Sequence, residues 1–227
     1  MNITMHVGEE TEFYQILQQA VAQCRPLNMI ETGTYLGMGT TSALCLGLSR
    51  IPQVKCNFYS IEISPVFYSA ALQNLRQKNL LQYVHILNGL SVPRNMLPTK
   101  EAIQKTTVDD CIRSGIYADF PENMRAEVYH SETARQDCPE DLLGLCLAAC
   151  DFRPDILLLD SAGHMGFIEF QYALSKIQGQ CLFILDDTRH VKHHNSLHFM
   201  SNDKRFQILN NSHERFGFCI ARYTPEV

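Results

Sequence analysis

Several features that would assign a chain to a membrane or nucleic-acid class are missing from this sequence. No apolar run reaches the roughly 18 residues that a helix needs to span a bilayer, so we expect no membrane partner. Basic residues do not exceed acidic ones, and the net charge of −5 argues against nucleic-acid binding, which needs a broad basic surface. The first ten residues carry Glu9 and Glu10 and no signal-type apolar segment, so we expect a cytoplasmic protein.

The chain also lacks the cysteine spacing of disulfide-rich or metal-binding domains. Its nine cysteines are an odd number, and none stands in a Cys-x-x-Cys motif. Most fall within apolar patterns, such as Cys146 and Cys150 in a helical pattern and Cys181 in a strand-like one. These positions indicate buried thiols in a reducing compartment.

Short apolar runs alternate with amphipathic segments along the 227 residues, without repeats or low-complexity tracts. The predicted strands are 29–31, 57–63, 83–88, 156–160 and 181–186, and the predicted helices are 10–24, 40–48, 65–79, 142–150 and 166–177. Segments 206–209 and 216–223 read as a closing hairpin. Strands that alternate with helices favour a mostly parallel sheet covered on both faces. We therefore predict one α/β domain over residues 1–227, with a Rossmann-like, doubly wound, seven-stranded sheet that ends in an antiparallel hairpin.

Residues 92–140 break this rhythm. The segment contains four prolines, many charges and only short apolar runs. A connection of this length between a strand and the next helix is uncommon and usually serves as a lid or a binding loop. We interpret it as a lid-like insertion above the carboxyl edge of the sheet. A disordered or purely structural excursion is the alternative.

Residues 28–41 are the most informative stretch of the chain. A short apolar run ends in Glu31, and glycines follow at Gly33, Gly37 and Gly39 before a helical pattern begins near Thr40. A strand, a tight turn and the start of a helix form the place where an α/β sheet accepts a nucleotide-like ligand. The glycine spacing differs from the Gly-x-Gly-x-x-Gly of dinucleotide enzymes. An acid here would repel a pyrophosphate but suits a ligand with a cationic amino group.

This segment resembles motif I of the class I S-adenosylmethionine-dependent methyltransferases, in which the glycine loop holds the methionine part of the cofactor. The resemblance implies that the cofactor contacts are Glu31, Gly33, Thr34, Tyr35 and Gly37, together with Asp160 at the end of a later strand. A strand–loop–helix that merely packs tightly is the alternative interpretation.

Two further segments are candidates for the nucleoside part of the cofactor. Glu62 ends the second predicted strand, where a carboxylate can accept two ribose hydroxyl groups side by side; a surface acid at a strand end is the alternative. The third strand leads into Asn88-Gly89-Leu90-Ser91, which resembles the Gly-Asp-Ser segment that lies near the adenine in the same family. Gly89 and Ser91 match that segment, whereas Leu90 replaces the aspartate.

Three acids lie at the ends of the last two parallel strands. Asp160 comes after one apolar run, and Asp186 and Asp187 come after the next. Carboxylates that meet at one sheet edge repel each other unless they are protonated or neutralised by a cation. Oxygen ligands suit a hard cation such as Mg²⁺. The alternative is a helix-capping aspartate and an Asp-Asp turn.

The spacing of these acids resembles the metal-dependent O-methyltransferases that methylate sugar hydroxyls on macrolide and aminocoumarin antibiotics. The resemblance implies that Asp160, Asp186 and Asp187 bind the metal. One more residue separates His164 from Asp160 than separates the corresponding histidine and aspartate in many relatives. The sequence therefore leaves open where the His164 side chain points. His164 or metal-bound Asp160 is the candidate base for a substrate hydroxyl.

A basic cluster extends over residues 189–198, with His190, His194 and His198 at helical spacing. It is open whether they bind a transition metal, face an anionic substrate or form a solvated face.

The leading functional prediction is S-adenosylmethionine-dependent, Mg²⁺-assisted methyl transfer to a hydroxyl of a small molecule, either a sugar or another natural-product intermediate. Methylation of nitrogen stays open, and so does a homo-oligomer. One alternative is a non-catalytic Rossmann-like ligand-binding or interaction protein. A nicotinamide-dependent oxidoreductase is the other, and the glycine spacing and Glu31 argue against it.

Overall fold

The computed structural model describes residues 7–52, 55–105, 115–118, 122–135 and 137–226. The helices are α1 (Glu12–Cys24), α2 (Thr40–Ser49), α3 (Pro65–Gln77), α4 (Lys100–Gln104), α5 (Glu122–Thr133), α6 (Leu142–Ala149), α7 (Gly166–Leu174) and α8 (His194–Asn202). The strands are β1 (Asn28–Thr32), β2 (Asn57–Glu62), β3 (His85–Asn88), β4 (Ile156–Leu159), β5 (Cys181–Asp186), β6 (Phe206–Ser212) and β7 (Phe218–Tyr223). None of the described helices combines the length and the apolar character needed to cross a bilayer.

The strands form a seven-stranded sheet in the order β3-β2-β1-β4-β5-β7-β6. The first five strands are parallel, and β7 runs antiparallel to both β5 and β6. The predicted fold class is therefore confirmed. Strand order reverses between β1 and β4, which places the carboxyl ends of β1, β2, β4 and β5 around one crevice, the usual ligand position in such sheets.

Alternate residues of the central strands feed two separate core layers. Met29, Phe58 and Leu158 pack with α1, α2 and α3 on one face of the sheet. Ile30 and Leu157 pack with α6 and α7 on the other face. Because both faces are covered, the central strands read as continuous apolar runs.

Helices α1 and α3 begin at capping residues. The Thr11 hydroxyl accepts a hydrogen bond from the Tyr14 amide at 3.2 Å and starts α1. Ser64 caps α3, with Pro65 at its first position.

Strand β6 is longer than predicted. Its pairing with β7 continues to Ser212, beyond the predicted end at residue 209, across an irregularity between Ile208 and Asn210.

Six described cysteines are buried free thiols, as the sequence predicts: Cys45, Cys138, Cys146, Cys150, Cys181 and Cys219. All of these except Cys138 pack in the two apolar core layers, since a free thiol behaves as a small hydrophobe. The Cys138 thiol instead lies 3.8 Å from the Arg94 guanidinium.

The described parts of the 92–140 insertion are more structured than its composition suggests. They include α4 and α5, and Val92, Ile103, Ala126 and Tyr129 join the core layer formed with α6 and α7. Residues 106–114, 119–121 and 136 lie outside the described part of the chain. The described parts of the insertion are therefore anchored to the core, and a lid function stays a prediction.

Candidate active site at the carboxyl edge of the sheet

The glycine loop follows β1 and turns back against two neighbouring strands. Gly33 has φ +85°, and its amide donates to the Ile61 carbonyl at 2.9 Å. A Cβ atom built on Gly33 would lie 2.3 Å from the carbonyl oxygen of Asp160. Position 33 therefore needs glycine because the backbone at the end of β4 approaches so closely that no side chain fits there.

Glu31 lies beneath this loop and is fully buried. Its Oε2 accepts hydrogen bonds from the hydroxyls of Thr41 at 2.7 Å and Ser60 at 2.6 Å. Burial raises the pKa of Glu31 to about 7, although these hydroxyls partly counteract the shift. The Thr34 and Ser60 hydroxyls lie 2.6 Å apart, so Thr34 belongs to the same buried polar network.

Glu62, at the end of β2, is only 6% exposed, which excludes a solvated surface acid. The backbone amides of Tyr35 and Ser64 donate to its two oxygens at 2.7 and 2.8 Å. Burial raises the pKa of Glu62 to about 7, those amides lower it, and the nearby Glu132 of α5 raises it. The carboxylate is thus held rigidly beside the glycine loop, and each oxygen keeps a lone pair for a further donor.

The segment after β3 is covered by the end of the insertion. The Leu90 amide donates to the Pro139 carbonyl at 2.8 Å, and a Cβ on Gly89 would lie 2.4 Å from the same oxygen. Arg135 reaches this edge and donates to the Ile63 carbonyl at 3.2 Å and to Asn88 at 3.3 Å. The end of the insertion therefore packs against the segment that the sequence predicts to border the adenine, and that contact stays a prediction.

Sequence reasoning missed Glu169, a fully buried acid on α7. Its carboxylate accepts hydrogen bonds from Ser91, from Ser161 at 2.7 Å and from Thr32 at 2.7 Å. Burial raises the pKa of Glu169, and the three hydroxyls counteract that effect. The residue joins the carboxyl ends of β1, β3 and β4. The available signal was a single acid within a helix that carries no other charge.

The three predicted metal ligands do come together. Carboxylate oxygens of Asp160, Asp186 and Asp187 all lie within 4.8 Å of one another. Asp187 adopts φ +57° in the turn that follows β5, and its amide donates to Asp186 at 2.9 Å. Burial raises the pKa of Asp186 well above its ordinary value, and the neighbouring Asp187 and Asp160 add to that shift.

A second missed residue, Lys192, lies among these acids. Its ammonium is 2.6 Å from Asp160 Oδ1 and 2.8 Å from Asp187 Oδ2, and its side chain is 5% exposed. Arg215 approaches Asp186 at 3.9 Å. Burial lowers the pKa of Lys192, but the adjacent Asp160 and Asp187 outweigh burial and raise it overall. The sequence offered only a lysine within a basic run, which is usually solvated.

This arrangement fits a bound Mg²⁺ poorly. Asp160 and Asp187 already share an ammonium, whereas Mg²⁺ requires near-octahedral oxygen ligands at about 2.0–2.1 Å. Asp187 Oδ1 accepts no hydrogen bond from the described residues, but one open oxygen does not supply that coordination. The predicted Mg²⁺ site therefore stays a prediction that the surrounding side chains do not favour.

The histidines of the 189–198 cluster do not share one helical face. His190 precedes α8 and is buried, whereas His194 and His198 lie exposed on the helix. Within the described residues, the three aspartates are the one group with metal-ligand spacing. The helical spacing of the three histidines does not produce a shared face, because the chain turns after β5 and α8 begins only at His194. His164 is half-buried in the loop after β4, and its role as a base stays a prediction.

Comparisons with solved structures identify the fold. An O-methyltransferase from Bacillus cereus in complex with SAH aligns with a TM-score of 0.60 and 16% identity, over 98% of this chain and 85% of that one. The O-methyltransferase TomG from Streptomyces achromogenes, involved in tomaymycin synthesis and complexed with SAM, aligns with a TM-score of 0.56 and 13% identity, over 94% and 80% of the two chains. A methyltransferase from Geobacter sulfurreducens gives 0.57 and 13%, over 94% and 80%.

The chain therefore has the fold of the class I S-adenosylmethionine-dependent O-methyltransferases. No protein-family model matches the sequence, and no curated protein matches it significantly.

Proposed function

We propose that this protein transfers a methyl group from S-adenosylmethionine to a hydroxyl of a small molecule. The observation that carries the proposal is the pair of buried acids at the ends of adjacent strands, Glu31 on β1 and Glu62 on β2, on either side of the glycine loop. The two acids lie beside the point where the strand order reverses between β1 and β4, in a sheet with the strand order of the methyltransferase fold.

Each part of the cofactor has a matching set of residues in this proposal. Glu62, held by the Tyr35 and Ser64 amides, accepts the two ribose hydroxyls. The loop from Gly33 to Gly37 borders the methionine part, and Glu31 supplies negative charge beneath its amino group. Gly89 and Ser91 border the adenine. Ser91 already donates to Glu169, so we assign the adenine contact to the backbone at this point.

When bound, S-adenosylmethionine supplies an electrophilic methyl group on a sulfonium. The protein has to place the acceptor oxygen in line with that methyl and to remove the hydroxyl proton, and positioning accounts for much of the rate in such reactions. His164 and Asp160 are the candidate bases. His164 lies four residues after Asp160 in the loop beside the crevice, and a neutral imidazole suits proton transfer near pH 7.

Calorimetric titration with S-adenosylhomocysteine and, separately, with NAD tests the assignment. We expect one S-adenosylhomocysteine per chain and no heat with NAD. Binding of NAD alone would indicate an oxidoreductase, and binding of neither would indicate an interaction protein that retains the fold. A panel of hydroxylated and aminated small molecules with radiolabelled S-adenosylmethionine then distinguishes oxygen from nitrogen acceptors.

A further inference from the structure

We propose that the ammonium of Lys192 takes the place of a divalent cation in the Asp160–Asp186–Asp187 cluster, so that this chain needs no metal there. This inference rests on the proposed function where methyl transfer is measured. The measurement of metal binding does not depend on methyl transfer.

The contacts of the ammonium carry the first step. Lys192 Nζ lies 2.6 Å from Asp160 Oδ1, 2.8 Å from Asp187 Oδ2 and 3.5 Å from the Asp160 carbonyl. An ammonium has three N–H donors and no acceptor, so all three donors have an oxygen in reach. These distances are those of hydrogen bonds from an ammonium to oxygen acceptors. A Mg²⁺ ion could bind both carboxylates only if the Lys192 ammonium moved away.

Charge gives the second step. Three buried or nearly buried carboxylates face two cations, Lys192 at 2.6–2.8 Å and Arg215 at 3.9 Å. A divalent cation added to this set would meet an ammonium inside a poorly solvated site, where like charges repel strongly. The cluster thus carries its own counter-ions.

The surrounding chain is shaped around the lysine stem, which is the third step. A Cβ on Gly166, the first residue of α7, would lie 2.6 Å from Lys192 Cγ and 2.7 Å from the Lys192 carbonyl oxygen. The turn after β5 brings the lysine inward, with the His190 amide bonded to the Asp187 carbonyl at 3.0 Å and the His193 amide to the His190 carbonyl at 3.1 Å. Glycine at 166 therefore leaves room for a buried Lys192.

The chemical consequence concerns the acceptor. With its three donors engaged, Lys192 does not reach a substrate hydroxyl, and it acts as a positioning residue that orients Asp160 and Asp187. Deprotonation of the acceptor then falls to a side chain, His164 or Asp160, with no Lewis acid involved. The methyl–oxygen bond forms as the methyl–sulfur bond breaks, and the hydroxyl proton passes to that base.

The test measures Mn²⁺ binding by electron paramagnetic resonance on the full chain, for wild type, Lys192→Met and Lys204→Met. Methionine keeps the unbranched stem and removes the charge. Lys204 is the matched control because its side chain is 87% exposed and pairs only with Glu226 in the described residues. We expect only weak, nonspecific Mn²⁺ binding to wild type and Lys204→Met. We expect Lys192→Met to bind one Mn²⁺ at least about tenfold more tightly than this nonspecific level, because the two freed carboxylates attract a cation.

Stoichiometric Mn²⁺ binding to wild type that is lost in Asp187→Asn would overturn the proposal, and so would a folded Lys192→Met that binds no Mn²⁺. If Lys192→Met does not fold, the wild-type measurement decides alone. Methyl transfer by wild type should withstand EDTA. Failure to bind S-adenosylhomocysteine would overturn the proposed function and leave the Mn²⁺ result standing.

Discussion

Gly33 and Asp160 meet backbone to backbone where β1 and β4 end, so closely that a Cβ on Gly33 would lie 2.3 Å from the Asp160 carbonyl oxygen. The contact ties the glycine loop to the start of the loop that carries His164. The positions of the proposed cofactor loop and acceptor loop are therefore coupled through the backbone.

Replacing Gly33 with alanine should destabilise the fold because the new Cβ meets backbone that cannot move aside. Gly163→Ala is the matched control: Gly163 also has positive φ, at +59°, but nothing lies within 4 Å of its Cβ position. We expect a loss of about 1 kcal/mol for the control, from backbone strain alone, and a clearly larger loss for Gly33→Ala. Urea unfolding followed by circular dichroism measures both. Equal losses would mean that the close approach to Asp160 has no energetic consequence.

Glu62→Gln should weaken S-adenosylhomocysteine binding, since the variant keeps the shape of the side chain and loses its charge. Hydrogen bonds to charged groups contribute roughly 1.5–3 kcal/mol, which corresponds to about a 10- to 150-fold change in affinity. Glu226→Gln, at an exposed position, is the control and should bind as wild type does. Calorimetry that gave the same affinity for both variants would remove the ribose assignment.

Glu31 should make the protein less stable as the pH rises from about 4.5 to about 7. Its folded pKa of about 7 lies above the unfolded value of 4.5, so the folded state binds more protons in this window. This contribution to the free energy of unfolding is fully present below about pH 4.5 and is lost as the pH rises through about 7. A shift of this size corresponds to a loss of about 3 kcal/mol.

Glu31→Gln should flatten that dependence and leave the contribution of Glu62, whose pKa is also raised to about 7. Unfolding free energies of wild type and variant, measured by urea titration at pH 5, 6, 7 and 8, give the difference directly. A difference between the two proteins that stays constant with pH would show that Glu31 does not titrate in this range.

Glu169→Ala should destabilise the protein more than Glu169→Gln. Alanine leaves the hydroxyls of Ser91, Ser161 and Thr32 without their buried acceptor, and each unsatisfied buried group costs about 1–3 kcal/mol unless it finds another partner. Glutamine retains one oxygen acceptor. Thermal unfolding ranks the two variants, and the reverse order would mean that the carboxylate does not organise this edge.

The insertion should close over the cofactor. We expect amide hydrogen exchange in α5 to be faster than in β1 and β4 in the free protein, and slower when S-adenosylhomocysteine is bound. Arg135→Gln removes the guanidinium contacts to Ile63 and Asn88, so it should speed exchange in α5 without altering β1. Full protection of α5 in the free protein would contradict the lid and make the segment a fixed part of the core.

The sequence predicted the seven described strands and the helices α1, α2, α3, α6 and α7, because hydrophobic period is a local property of a chain. It did not predict α4, α5 or α8. The apolar runs of β1, β4 and β5 predicted a sheet covered on both faces, and the glycines after Glu31 marked the tight turn that we propose as the cofactor loop. Three acids that follow strand ends also had to meet, since parallel strands share one carboxyl edge.

Only the tertiary structure decided what these acids contact. Lys192 comes from a basic run that looked solvated, and the turn after β5 buries it between Asp160 and Asp187. Glu169 is distant in sequence from Thr32 and Ser91, whose hydroxyls it joins. Hydrogen bonds and charge pairs of this kind form between residues far apart in the chain. Their partners follow from the packing of α7 and the turn after β5 against the sheet, which no local pattern specifies.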